Sequence, residues 1–400
     1  MDIIMLALAR WDGPYSSTAF SLAKELSRTS RVFYVENPIT IKYFLANIYK
    51  KHVWRRLKAL FFGISPYILP DPENRNLIAV TPRLTIPINF LSQGKTYERL
   101  SSVNDSIINK VLRRLTKDYS VDNFIFFNCF NPFYVRKFPK EFSPQLFVYM
   151  TVDDIRHSTH IRKHGPRLEM GMMTRADLVF ATSRELTLLA GKYARKAYYL
   201  PNAADISLFK TSLNQELPKP IELSNINSPI VIYTGNIDHR IDFDLLNEVV
   251  SKNPEITFVL VGPISINENQ LSELRNRSNV VFTGRKDLGE LPGFLKYSNC
   301  AIIPFKCNTL TQSIYPLKIN EYLAAGKPVV STPFSEDIQS FSEVIRIAKD
   351  ADTFSEGINN SIQITSSDQE AERLRFVENN TWKARADSFW LKVNQHLNMK

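Results

Sequence analysis

Lys318 and Glu321 stand three positions apart in "YPLKINEYLAAGKPVV" (315–330), next to the small and apolar Leu323, Ala324 and Ala325. That spacing places both on one face of a helix. Pro316 suits a helix start and Gly326 a left-handed stop, and Pro328 to Val330 follow as a strand, so the unit reads helix, tight turn, strand. A cation in a first helical turn faces the positive end of the macrodipole, and an anion is needed to offset it. First-turn amides and a lysine together form such an anion site, suited to a phosphate. A carboxylate on the same face cannot serve the phosphate, but its two oxygens suit the two hydroxyls of a sugar diol. The pair therefore points to a nucleotide or a nucleotide sugar. The ordinary alternative, an ion pair on a solvated face, sits poorly with the apolar neighbours. A P-loop is excluded, because Glu321 and Pro328 occupy the positions that need glycine and Ser or Thr.

Carboxylates able to act as a general base would stand at the C-terminal ends of buried strands, where open α/β sheets bind ligands. "VYMTVDDIRHS" offers Asp153 and Asp154 directly after a strand, and "LALARWDG" offers Asp12 after the first strand. Asp153 is the first choice and Asp12 the second; the ordinary alternative is that Asp153 or Asp154 caps the following helix. His157, His160 and His164 share a helical face, but no carboxylate completes a ligand set, so no metal is expected there and contact with a phosphate is the alternative.

The 400 residues exceed one hydrophobic core, and two domains of about 200 residues each are expected. Cys129, Cys300 and Cys307 form no C-x-x-C pair, which speaks against a disulfide framework or structural zinc. No basic leader or long apolar run is present, so a cytoplasmic protein without a spanning helix is expected. The net charge of +10 is uneven. Residues 1–210 carry 31 Lys and Arg against 17 Asp and Glu, while residues 211–400 carry 19 against 23. The first half is thus suited to an anionic surface, lipid or nucleic acid.

The opening reads as a strand (Ile3 to Ala9), a helix (Ser17 to Ser27) and the strand "RVFYVENP", a βαβ unit. Residues 37–70 contain six Lys and Arg and no acid, interleaved with aromatic residues. Val53, Leu57, Leu60, Phe61 and Ile64 recur at helical spacing beside Arg55, Arg56 and Lys58, the pattern of a helix lying in a bilayer interface with Trp54 and Phe61 inserted. An amphipathic helix on the domain core is the alternative. Further buried strands are expected at 124–130, 145–151, 176–183 and 196–202, and a second series at 229–235, 257–263, 280–284 and 300–305. The polar, proline-bearing stretch 211–228 reads as the linker.

In order and spacing, "ADLVFATSRELTLLAG…YYLPNAADISLF", "IVIYTGNI", "FVLVGP", "NVVFTGRKDLGELPGFLKYSNCAIIPF" and "PLKINEYLAAGKPVV" resemble GT-B glycosyltransferases related to family 4. The likeness is to bacterial cell-surface polysaccharide transferases of the teichuronic-acid and xanthan type, strong over 176–335 and topological over the first third. It implies two Rossmann-like doubly wound domains facing a cleft, with 1–210 binding acceptor, 211–379 binding donor and 380–400 crossing back onto the first domain. Glu321 would bind ribose hydroxyls, and Pro316, Leu317 and Lys318 would face the diphosphate. Gly235 would let the backbone approach it, with Asn236 and Arg240 beside the phosphates. The family's first glutamate of E-x7-E is Ser313 here, and its Asn-Gly pair is Asn202-Ala203, which puts the usual retaining chemistry in doubt. Asp153, Asp12 or Asp154 would then take the acceptor proton.

The resemblance implies transfer of a sugar from a nucleotide donor, UDP favoured over GDP, to a lipid-linked or polysaccharide acceptor at the inner face of the plasma membrane, without a metal or nucleic acid. A sugar-nucleotide epimerase of the same fold and a non-catalytic binder of anionic surfaces are the competing readings.

Overall fold

A computed structural model describes residues 1–13, 17–139, 141–158, 161–214, 216–363 and 366–399, and divides the chain into two compact units. His160 lies outside the described residues. The first unit comprises Met1–Pro201 with Arg385–Lys400, the second Asn202–Ala384.

The first unit is built on β1 (Asp2–Ala7), β2 (Val32–Val35), β3 (Tyr67–Ile68), β4 (Leu77–Val80), β5 (Phe124–Cys129), β6 (Leu146–Thr151), β7 (Leu178–Ala181) and β8 (Ala197–Tyr199). They form one sheet in the order β3-β4-β2-β1-β5-β6-β7-β8, parallel except for the β3–β4 pair. The runs "DIIMLA", "FIFFNC" and "LFVYMT" are buried almost throughout because helices cover both faces of a parallel sheet. The helix Thr18–Leu26 begins at Ser17, whose hydroxyl accepts from the Phe20 amide at 3.2 Å. Its Phe20 packs on Tyr34, which is in register with Met5 and Phe127 across β2, β1 and β5. On that same face of the sheet, Phe389 of the helix Trp382–Leu397 packs on Phe127 and Phe180, with ring centroids 5.1 and 5.3 Å away.

The second unit carries β9 (Ile230–Thr234), β10 (Thr257–Val261), β11 (Val280–Gly284), β12 (Cys300–Ile303), β13 (Val329–Ser331) and β14 (Arg346–Ile347). Their order is β11-β10-β9-β12-β13-β14, all parallel, the doubly wound pattern in which the strand order reverses between β9 and β12.

Two expectations are corrected. The boundary falls between Pro201 and Asn202, before 210/211. Residues 206–214 of the expected domain end and linker form a helix with Phe209 buried in the second unit. The expected continuous helix over Val53–Ile64 is two short helices, Lys51–Trp54 and Leu57–Phe62, ended by Gly63 in the left-handed conformation at φ 65°. Its apolar stripe divides as well: Val53 and Leu60 join Ile39 and Phe44 in a small core, while Phe61 and Ile64 stand exposed.

Candidate functional site

The helix Leu317–Ala324 starts from Pro316 without a side-chain cap, and the Leu317 and Lys318 amides have no backbone partner among the described residues. It ends at Gly326 with φ 69°, where the Gly326 and Lys327 amides return to the Leu323 and Tyr322 carbonyls at 3.0 Å each. Tyr322 fixes the helix against β9: its hydroxyl accepts the Thr234 amide at 2.8 Å. This bond sets Lys318 against the turn that leaves β9.

That turn has room for the lysine because residue 235 is glycine. Its φ is 129°, and a β-carbon there would stand 2.5 Å from Lys318 Nζ. A β-carbon on Gly262, at the end of the neighbouring β10, would overlap the Gly235 carbonyl. Lys318 Nζ lies 5.2 Å from the Tyr233 ring centroid and 5.7 Å from that of Phe305, a cation over two aromatic faces. Burial, with the Arg240 charge nearby, lowers the Lys318 ammonium to about 8, against the opposing pull of Glu321 and Asp238. Burial pushes the Glu321 carboxyl up, with Lys318 acting the other way. No hydrogen bond to the Glu321 carboxylate occurs among the described residues. Ser313, 2 % exposed, has a hydroxyl with no partner either. Buried or half-buried polar groups left unpaired in this way are poised for a ligand.

Asn236 and Arg240 are placed differently from each other. The Asn236 amide group donates to Asp238 at 2.8 Å and its oxygen accepts from Ser265 at 2.8 Å, which rigidifies the turn after Gly235. Arg240 is clamped on Asp238 through Nε at 2.8 Å and a terminal nitrogen at 2.6 Å. Burial alone would raise the Asp238 carboxyl, yet the guanidinium outweighs it and holds it below the ordinary range. Arg240 thus adds charge to the site from a fixed position.

In the first unit, the three candidate carboxylates have distinct surroundings. Asp154 is 6 % exposed and caps the turn Ile155–His157, with Arg156 clamped on both of its oxygens at 2.8 and 2.6 Å. Asp12 accepts from both terminal nitrogens of Arg56, at 2.7 and 3.0 Å. Burial raises both carboxyls, but the paired guanidinium leaves each below its ordinary value, which makes it a weaker proton acceptor. Asp153 is exposed immediately after β6.

Arg56 corrects an expectation. It does not face a lipid surface: it is 1 % exposed and holds Asp12 together with Glu36, whose two oxygens accept at 2.6 and 2.7 Å. Thr81 donates to the same Glu36 at 2.5 Å, so the network ties the ends of β1, β2 and β4 to the short helices. Trp54, Arg55, Lys58 and Phe61 are exposed, beside the exposed Leu45, Tyr49, Phe62 and Ile64.

A loop that the sequence reading passed over follows β5. Phe130 and Val135 have φ of 59° and 57°, uncommon for such side chains. The Phe130 amide is held by the Met150 carbonyl at 2.8 Å and the Val135 amide by Asp105 at 2.9 Å. The loop turns Phe133 and Tyr134 into a cavity of about 420 Å³ also lined by Leu8, Asn37, Pro38 and Thr40. The last four line a second cavity, about 460 Å³, with Arg10 and Tyr43. Asn131, fully buried beneath, donates to Ala7 and Asn37 at 3.1 and 3.3 Å while its own oxygen has no partner. The signal in the sequence was "FNCFNPFYV", where two asparagines punctuate an aromatic run.

These two parallel sheets, with a glycine turn and an anion-ready helix at the reversal point of the second, define a GT-B fold. The trehalose-6-phosphate structure from E. coli bound with UDP-2-fluoro glucose superposes with a TM-score of 0.70 at 11% identity over 99% of both chains. Sucrose-phosphate synthase from Thermosynechococcus elongatus gives 0.67 at 15% over 100% of both. The glycosyl transferases group 1 family model matches residues 228–363, which lie within the second unit. A protein of Bacillus subtilis (strain 168) named as a teichuronic acid biosynthesis glycosyltransferase, TuaH, is 32% identical over 171 residues, 41% of this chain. That match spans 42% of the relative's own length.

Proposed function

We propose that the protein is a glycosyltransferase that takes a sugar from a nucleotide-sugar donor, a UDP-sugar in preference, and passes it to a lipid-linked or polysaccharide acceptor of the cell surface. The observation that carries this reading is Lys318 lying against Gly235, with Glu321 unbonded on the same helix. In this reading the Leu317 and Lys318 amides and the Lys318 ammonium hold the diphosphate, and Glu321 accepts the two ribose hydroxyls. Ser313 donates its orphan hydroxyl to the donor. The bond between the anomeric carbon and the diphosphate oxygen breaks, and the negative charge that develops on the leaving diphosphate meets Lys318. The acceptor oxygen bonds to the anomeric carbon and loses its proton to Asp153, exposed after β6 and preferred over Asp12 and Asp154, whose carboxyls Arg56 and Arg156 hold below the ordinary range. Because the fixed cations and amides already answer the diphosphate, the reading includes no metal.

The acceptor sits in the cavities beside Asn37, Thr40 and Tyr134. Among the described residues no helix is long and apolar enough to cross a membrane, and in this reading the exposed Trp54, Arg55, Lys58 and Phe61 rest on an anionic bilayer. Calorimetric titration of UDP and GDP, without added metal, into the protein and its Glu321→Ala variant tests the donor site. Saturable binding of one nucleotide, weakened in the variant, supports the reading; no binding of either to the folded protein refutes it. Release of UDP only in the presence of acceptor separates transfer from epimerisation.

A further inference from the structure

A cavity of about 470 Å³ opens at the far edge of the first sheet, within the roughly 300–1,000 Å³ of small-molecule sites. Its walls come from three places. Leu60, Phe61 and Phe62 close it from the short helix, Pro66, Tyr67 and Leu84 from the edge of the sheet. The third wall is one face of the helix Lys95–Asp118, where Ile107, Lys110, Val111 and Arg114 fall at i, i+3, i+4 and i+7.

Its interior is apolar, and its charged lining residues are all cations: Arg83, Lys110 and Arg114. Two of them converge on Gly63: Arg83 donates to the Phe61 carbonyl at 2.9 Å and Arg114 donates to the Gly63 carbonyl. These bonds use backbone oxygens, not carboxylates, and among the described residues neither Arg83 nor Lys110 has a carboxylate partner. Asp118, outside the lining, offsets one of the three charges: it pairs with the Arg114 Nε at 3.1 Å and accepts from the Tyr67 hydroxyl at 2.7 Å. Lys110 is exposed and has no protein partner among the described residues. The apolar interior is continuous with the exposed patch, since Phe61 and Phe62 line the cavity and also stand in solvent, Phe62 at 74%.

We propose that this cavity takes one hydrocarbon chain of an anionic phospholipid, with the lipid phosphate held at the rim by Lys110, Arg83 and Arg114. An apolar slot with a net cationic rim, opening beside exposed aromatic side chains, matches an amphiphile that has a chain on one end and a phosphate on the other. The inference rests on the proposed membrane association and sharpens it: the protein extracts part of one lipid and does not merely lie on the headgroups. Both kinds of lipid offer a phosphate, but the choline ammonium of a zwitterionic lipid meets the rim cations as like charge, so the rim sets a preference for anionic lipid.

The test titrates monomeric dihexanoyl-phosphatidylglycerol, below its micellar concentration, into the full chain, with dihexanoyl-phosphatidylcholine as comparison. Flotation with three-to-one phosphatidylcholine and phosphatidylglycerol vesicles is measured in parallel. Val111→Trp fills the cavity and leaves the exposed aromatics unsubstituted; Ile107→Phe does so more mildly and carries the test if the first variant fails to fold. The expected result is saturable one-to-one binding of the phosphatidylglycerol, weakened about tenfold or more in the filled variants, which still float. Lys110→Ala is expected to weaken binding by about threefold, the range of one exposed charge. The inference is overturned if the wild-type protein does not bind the monomeric lipid, or if the filled variants bind it unchanged. Flotation tells the two failures apart: wild-type protein that floats without binding monomer refutes the cavity alone, whereas protein that does neither refutes the membrane reading too.

Discussion

Raising the pH should release the nucleotide, and Lys318 sets where this happens. Burial and the Arg240 charge lower its ammonium from the ordinary 10.5 to about 8 in the empty site. If only the protonated lysine holds the diphosphate, roughly nine molecules in ten are competent at pH 7 and about one in ten at pH 9, a loss of about tenfold or ~1.4 kcal/mol. The diphosphate itself draws the lysine back up, so affinity begins to fall near the free value and levels off only above the higher bound one. The assay is calorimetric titration of UDP from pH 7 to 9, with uridine as a control that has the base and ribose but no phosphate. Lys318→Arg keeps the charge at every pH in the range and should flatten the dependence, whatever it does to affinity. The reasoning fails if wild-type affinity for UDP is level across that range, or if the slope survives in the arginine variant.

Glu321→Ala should weaken UDP by about 10- to 100-fold, the value of one or two hydrogen bonds to a charged acceptor, while leaving inorganic pyrophosphate binding nearly unchanged in the same titration. Gly235→Ala should abolish UDP binding, because the new methyl group would displace the Lys318 side chain; circular dichroism should show the fold retained. Arg56→Ala strands Glu36 without a counter-charge and should cost about 3–5 kcal/mol in urea unfolding, whereas Arg55→Ala, at the exposed neighbour, should stay within about 0.5 kcal/mol. Glu169 is buried beside Tyr149, and burial raises its carboxyl from the ordinary 4.5 to about 7. A raised carboxyl costs nothing below the unfolded value and progressively more as pH climbs to the folded one. Stability should therefore decline between about pH 4.5 and 7, by roughly 3 kcal/mol at most, and Glu169→Gln should remove that decline in denaturant titrations repeated across the range.

The strands legible in the sequence were the fully buried ones, such as "FIFFNC" and "TFVLV", whose apolar runs are long enough to stand out. The strands that were missed are short: β4 is four residues between polar turns, and β14 is a two-residue strand with Arg346 exposed. Lys318 and Glu321 were legible because helix stop and start residues flank them and because their charges are anomalous there. The aromatic cradle of Tyr233 and Phe305 was not, since it joins positions about seventy residues apart that only strand order brings together. Arg56 was misread for a related reason. Helical periodicity gives the direction of a side chain only if the helix is continuous, and here two carboxylates, in the segments after β1 and β2, draw the arginine inward where the helix breaks. The strained loop after β5 carries no glycine to advertise its positive φ values, so its role emerged from geometry alone.

Phe389 has a consequence for how the molecule is made. The sheet face that it covers is finished once β7 leaves the ribosome at residue 181, but the ring arrives about two hundred residues later, after the whole second unit has been synthesised. At roughly 5–20 residues per second, Phe127 and Phe180 wait about 10–40 s for their partner. During that interval the nascent first unit presents an uncovered aromatic surface to solvent, a site open to aggregation. It also means that a fragment ending at residue 201 lacks part of its own core, so separate expression of the first unit calls for residues 385–400 to be supplied, fused or in trans.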